Sequence, residues 1–119
     1  MKWQKTPDEL ALFLKASLQG TKCQSRKMFG CPSYFINSNM FVGAFQKDIF
    51  IRLSPKDIEE TLRKYPDLKH FEPRPGIVMK EYVSLPESIY KQKNAFSRLL
   101  RKSVSYVRSL PTRKKRRKH

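Results

Sequence analysis

The sequence predicts an α+β domain: an antiparallel sheet of four to five strands with helices packed on it. Two observations carry this. Three segments rich in β-formers lie between residues 33 and 53, separated by two to four residues, which is the spacing of an antiparallel meander. Three other stretches open with a hydroxyl residue, a proline and an acid, the signature of a capped helix start. The chain has 119 residues, which fits one domain. We place that domain at residues 1–110, followed by a basic tail at 111–119.

Thr6-Pro7-Asp8-Glu9 starts the first helix, expected over about residues 7–19. Leu10, Phe13, Leu14 and Leu18 recur on its inner face and Gly20 stops it. Ser33-Tyr34-Phe35-Ile36 is the first expected strand, and Asn37-Ser38-Asn39 are turn residues. Met40 to Phe45 and Ile49 to Leu53 complete the meander around Gln46-Lys47-Asp48. Ser54-Pro55-Lys56-Asp57 starts a second helix with Ile58, Leu62 and Tyr65 on its apolar stripe, ended by Pro66. Lys69 to Pro75 is expected to be irregular, because Pro73 and Pro75 limit regular pairing, with Phe71 anchoring it to the core. Ile77 to Val83 is the fourth strand. Ser84-Leu85-Pro86-Glu87 opens one long helix to about Ser109, with Ile89, Phe96, Leu99, Leu100, Val104 and Val107 on its inner stripe. Pro111 stops it, and the tail is expected to be disordered, having no apolar residue from Arg113 to Lys118.

The formal net charge is +16, and it is unevenly placed. Residues 1–87 hold 14 Lys plus Arg against 10 acids; residues 88–119 hold 12 Lys plus Arg and no acid. A solvated helix face would interleave the two signs. Like charges without compensation repel within a helix, so a polyanionic partner is expected to meet this end of the chain. The candidate nucleic-acid contacts are Lys91, Arg98, Arg101, Lys102 and Arg108 on the last helix, and Arg113, Lys114, Lys115, Arg116, Arg117 and Lys118 in the tail. These would hold phosphates of DNA or RNA with little base reading.

No run of about 18 apolar residues is present, so a membrane span is not expected. Asp8 and Glu9 precede the short apolar stretch of the N-terminus, unlike a secretion signal. Cys23 and Cys31 have no CxxC spacing, and the only histidines are His70 and His119, so no four-ligand metal site is expected. A reduced state is the expected one, with a bond between the two cysteines left open. The four glycines form no phosphate loop. His70 near Asp67 lacks a nucleophile partner and reads as a loop histidine. No enzyme activity and no cofactor are expected. The aromatics Tyr34, Phe35, Phe41, Phe45 and Phe50 read as core rather than as a base-stacking face, and Trp3 as a pin for the N-terminus.

At Arg26-Lys27-Met28-Phe29-Gly30 a basic pair and Met-Phe-Gly precede an aromatic strand, a polar turn and a second aromatic strand. This resembles the N-terminal domain of the TfoX/Sxy family. The likeness continues through Asp48 to Leu53, His70-Phe71-Glu72-Pro73 and Tyr82-Val83-Ser84-Leu85-Pro86, covering about residues 8–109. It departs at Cys31, where many members have a second glycine, and at Asn37-Ser38-Asn39, where many have Asp-Gly. The resemblance implies the order α-β-β-β-α-β-β-α. It also implies a regulatory role, since full-length members regulate natural competence as transcriptional co-activators. Those members carry a second, helical domain, so this chain is expected to be a stand-alone N-terminal module of a prokaryotic cytoplasm.

Met28, Phe29 and Gly30 read as a core plug and turn. Arg26 and Lys27 beside them are candidate partner-binding residues. Two functions follow: a regulatory module associated with nucleic acid, or an adaptor for an acidic regulatory protein such as a transcription factor, with the tail only steering. Membrane attachment is not expected, because the apolar stripe of the basic helix is needed by the sheet. An isolated sheet edge leaves a homodimer open.

Overall fold

Among the described residues, six antiparallel strands form one sheet in the spatial order Gln24–Met28, Cys31–Ile36, Asn39–Phe45, Asp48–Arg52, Ile77–Leu85, Lys69–Arg74, with four helices packed on one of its faces. The computed structural model describes residues 8–28 and 31–111. Phe29, Gly30, Trp3, the expected Thr6-Pro7 cap and the tail cations Arg113, Lys114, Lys115, Arg116, Arg117 and Lys118 lie outside the described residues.

The elements are α1 (Asp8–Ser17), β1 (Gln24–Met28), β2 (Cys31–Ile36), β3 (Asn39–Phe45), β4 (Asp48–Arg52), α2 (Pro55–Lys64), β5 (Lys69–Arg74), β6 (Ile77–Leu85), α3 (Glu87–Tyr90) and α4 (Lys93–Ser109). The meander is as the sequence predicts. Asn37 and Ser38 both take positive φ, 52° and 66°, the two-residue hairpin turn that matches strand twist. Ser54 caps α2, its hydroxyl accepting from the Asp57 N–H at 3.2 Å.

Three expectations are corrected. The sheet has six strands rather than four to five. Gln24–Met28 is an edge strand, paired from Gln24↔Phe35 to Met28↔Cys31; residues 24–27 are exposed on both faces, so no alternation marks it. Lys69–Arg74 is a second edge strand, and His70 sits in it opposite Val83. An outer edge needs no donor from Pro73, and the pairing breaks register on either side of Phe71.

The third correction is the last helix. Ser84 lies in β6, and the chain makes a short α3 and then restarts at Gln92, which has extended backbone. On one continuous helix Tyr90 would point about 120° away from Phe96. The break lets both be buried, with their rings 6.5 Å apart and Phe13 5.8 Å from Phe96.

Both faces of the sheet are buried. The helix face packs Phe41, Val42, Ile49, Ile51, Leu53, Val83 and Leu85, all fully enclosed, against helix residues that include Leu14 of α1. Phe41 and Val42 are neighbours in sequence yet both reach this core. The β2–β3 register skips Phe41, between Tyr34↔Val42 and Phe35↔Met40, and such a bulge turns two successive side chains to one side. The skipped Phe41 carbonyl accepts from the buried Ser103 hydroxyl of α4 at 3.3 Å.

The opposite face carries Phe35, Met40, Phe50, Phe71 and Tyr82. Phe45 and Phe71 are three strands apart, about 14 Å on a flat sheet; their ring centroids lie 5.4 Å apart, so the sheet curls around its own aromatics. Phe50 stacks on Phe71 at 4.3 Å, and the Tyr82 hydroxyl donates to the Met40 carbonyl at 3.0 Å. Gly43 makes the curl fit: a Cβ there would overlap the Phe50 ring and come within 2.9 Å of the Pro32 carbonyl oxygen.

Candidate nucleic-acid interface

Helix α4 divides its residues cleanly. Phe96, Leu99, Ser103 and Val107 are buried. Arg98, Arg101, Ser105 and Arg108 are exposed on the other side. Their spacing of three, four and three residues makes a continuous stripe, about 15 Å long from Arg98 to Arg108 at 1.5 Å per residue. Two shallow depressions share Arg101 and Ser105. One, of about 540 Å³, runs toward α2 and includes Ser54, Asp57 and Tyr106. The other, of about 670 Å³, runs toward α1 and includes Thr21, Val104 and Arg108.

The five helix cations named from sequence do not share one environment. Lys91 closes α3 rather than riding on α4, and its ammonium lies 3.0 Å from the Glu87 carboxylate. The hydrogen bond and charge of Glu87 raise its pKa above the ordinary lysine value. Lys102 is half-buried, 3.9 Å from both Asp57 and Glu60 of α2. The acids missing from the C-terminal sequence are thus supplied by another helix. Among the described residues no carboxylate forms an ion pair with Arg98, Arg101 or Arg108. These three are the free cations of the stripe.

The stripe leads directly to the chain's basic end. The Asn39 amide donates to the Pro111 carbonyl at 3.1 Å and to the Asn37 carbonyl at 3.2 Å. This ties the exit of α4 to the β2–β3 turn. Arg108 lines a further depression there with Lys22, Gln24, Asn37 and Ser38.

Arg26 and Lys27 stand exposed on the edge strand β1. The Arg26 guanidinium lies 5.1 Å from the Phe35 ring centroid, a cation–π contact that fixes its direction. Cys23 and Cys31 form no disulfide. They flank opposite ends of the β1–β2 pair, too far apart for the 4.4–6.8 Å Cα separation a disulfide needs. Burial pushes the Cys23 thiol above its ordinary pKa, which favours the unreactive thiol form.

A deeper cleft of about 630 Å³ lies where α1 meets α3, lined by Glu9, Phe13, Lys47, Asp48, Glu87, Tyr90 and Lys91 among others. Burial raises the Asp48 carboxyl above its ordinary pKa, against the opposing effects of Lys47 and a hydrogen bond with Ser84. Burial likewise raises the Tyr90 phenol, whose hydroxyl donates to the Lys47 carbonyl at 3.3 Å. Three carboxylates make this cleft a poor host for phosphate. Among the described residues no group of three His, Cys, Asp or Glu side chains is placed to hold a metal ion. No described helix is long and apolar enough to cross a membrane.

Fold and surface together define a small α+β module: a curled antiparallel sheet, a helix layer on one face, and a row of arginines on α4 without carboxylate partners among the described residues. The chain belongs to the TfoX N-terminal domain family, whose model matches residues 7–106. No match is found among the curated proteins.

Proposed function

We propose that this chain is a non-enzymatic regulatory module of the TfoX N-terminal kind that associates with nucleic acid through the outer face of α4 and the basic run after it. The observation that supports this most is the row of Arg98, Arg101 and Arg108, solvent-facing and without carboxylate partners among the described residues. Arginine forks pair with phosphate in two-point hydrogen bonds, and hydroxyls such as Ser105 are ordinary phosphate contacts. Arg113, Lys114, Lys115, Arg116, Arg117 and Lys118 continue the charge beyond Pro111. Phosphate contact of this kind is sequence-tolerant and salt-sensitive, with a log–log slope of roughly −0.9 per phosphate on duplex DNA.

The test compares DNA and RNA binding by the full chain and by a chain ending at Pro111. The full chain binds with steep salt dependence, and the shortened chain binds more weakly with a shallower slope. Equal, negligible binding by both at about 0.1 M salt contradicts the proposal.

A second reading, an adaptor for an acidic regulatory protein, is favoured by one observation. Arg26 and Lys27 project from the open edge of β1, with Arg26 held over Phe35. Capture of partners from nuclease-treated lysate separates the two readings: partners that vanish with the nucleic acid remove the adaptor.

A further inference from the structure

The β5–β6 hairpin is buried at its root, where Phe71 and Tyr82 join the aromatic face, and exposed at its tip. Successive strand residues point to opposite faces, yet Ile77 and Val78 are 55% and 46% exposed. The hairpin tip is therefore bare on both sides. Its turn is built for shape rather than for core: Gly76 takes φ +87° and its N–H donates to the Glu72 carboxylate at 2.7 Å.

The charges of this arm are also one-sided. Its two acids are engaged at home, Glu72 with the Gly76 amide and Glu81 with the Arg52 guanidinium at 2.6 Å. Its cations Lys69, Arg74 and Lys80 are exposed, and no described residue forms an ion pair with them. Around its apolar tip the arm shows three unpaired cations, Lys69, Arg74 and Lys80, against one carboxylate, Glu72, that has no cationic partner among the described residues. Pro73 on the outer strand lacks an N–H, which works against pairing with another strand.

Arg52 of β4 links the root of the arm to α4. Arg52 bonds Glu81 of β6 and lies 5.7 Å from the Tyr82 ring centroid and 5.8 Å from that of Tyr106 in α4. Tyr106 borders the same depression as Arg98, Arg101 and Ser105. Arg52 thus connects the arm's root to the residue that borders the stripe.

We infer that the β5–β6 arm is a second nucleic-acid element that enters a groove of duplex DNA held by the α4 stripe, an assignment that rests on the function proposed above. A two-stranded ribbon fits the roughly 12 Å width of the major groove. Lys69, Arg74 and Lys80 flank it at phosphate, and Ile77 and Val78 supply apolar contact to thymine methyls or to a base step.

The experiment measures binding of the full chain to a short fluorescent duplex and to one of its strands alone, across a salt series. Ile77→Ser with Val78→Ser weakens duplex binding by roughly 10-fold, leaves single-strand binding alone and does not alter the salt slope. Arg74→Gln with Lys80→Gln makes the duplex slope shallower by roughly two. All four residues are exposed or at a free tip, and an unchanged thermal midpoint verifies the fold. If both arm variants match the parent while Arg98→Gln, Arg101→Gln, Arg108→Gln weakens binding, the arm assignment is wrong and the function stands. Equal weakening on duplex and single strand also overturns the groove assignment. If the parent binds no duplex, both fall together.

Discussion

The cleft between α1 and α3 and the outer face of α4 carry charge in opposite ways. In the cleft, Glu9, Asp48 and Glu87 mingle with Lys47 and Lys91, and Lys91 is held by Glu87 at 3.0 Å. On α4 the acids end at the border with α2, where Asp57 and Glu60 take up Lys102. Beyond that border stand arginines alone. The cleft is deeper and lined by aromatics, the form usually associated with a small-molecule site. The α4 face is shallow and open, which a rod of phosphates requires. On the proposed reading, the site is marked by unpaired charge, and neither by enclosure nor by total charge.

The largest effect expected from this comparison comes from removing the free arginines. Arg98→Gln, Arg101→Gln, Arg108→Gln in the full chain removes about three phosphate contacts and weakens duplex binding by roughly 100-fold near 0.1 M salt. The thermal midpoint should stay close to the parent's, since these side chains are exposed; a fluorescence-anisotropy titration beside a melting curve checks both. A smaller effect of opposite sign follows from moving the border. Glu60→Gln releases part of the hold on Lys102, so binding tightens by about 3-fold and the salt slope steepens by up to roughly 0.9.

Changes in the cleft should touch stability and not binding. Burial raises the Asp48 pKa, so the folded state holds its proton more tightly than the unfolded chain does. Stability from this group is fully present in acid and is lost as pH rises through the carboxylate range. Asp48→Asn should therefore raise the melting temperature at neutral pH, converge with the parent in acid, and leave nucleic-acid affinity unchanged. The smallest effect is expected at the other lysine named from sequence. Lys91→Gln should bind duplex as the parent does, because Lys91 lies off α4 beside Glu87. A loss as large as that of a stripe arginine would break the comparison.

Much of this architecture is legible in the sequence because local rules dictate it. Ser54-Pro55 caps α2, Asn37-Ser38 turns the hairpin, and the α4 stripe follows from helical spacing. The elements missed are those whose cause is distant in the chain. Strand β1 has exposed polar residues and is held by β2 alone. Strand β5 contains Pro73, tolerated because the edge is open. The break before α4 answers to Phe13 and Phe96, which both lie close to Tyr90. Ser103 reads as a spacer in a basic helix, yet its buried hydroxyl donates to the carbonyl of Phe41, the residue that the β2–β3 register skips. The site was legible as a charge imbalance, and its sorting was not. Only the placement of α2 beside α4 shows that Lys102 lies 3.9 Å from Asp57 and Glu60, while Arg98, Arg101 and Arg108 have no ion pair among the described residues.

The central claim is that the folded face of α4, and not only the basic run after it, meets the polyanion. The chain ending at Pro111 keeps the Asn39 bond that closes the end of α4. Its duplex affinity, measured across a salt series, tests the claim most directly. Three stripe contacts predict a log–log slope of about −3, steeper if the β5–β6 arm adds its own. A slope near zero, with all salt-dependent binding lost together with the last eight residues, would contradict it.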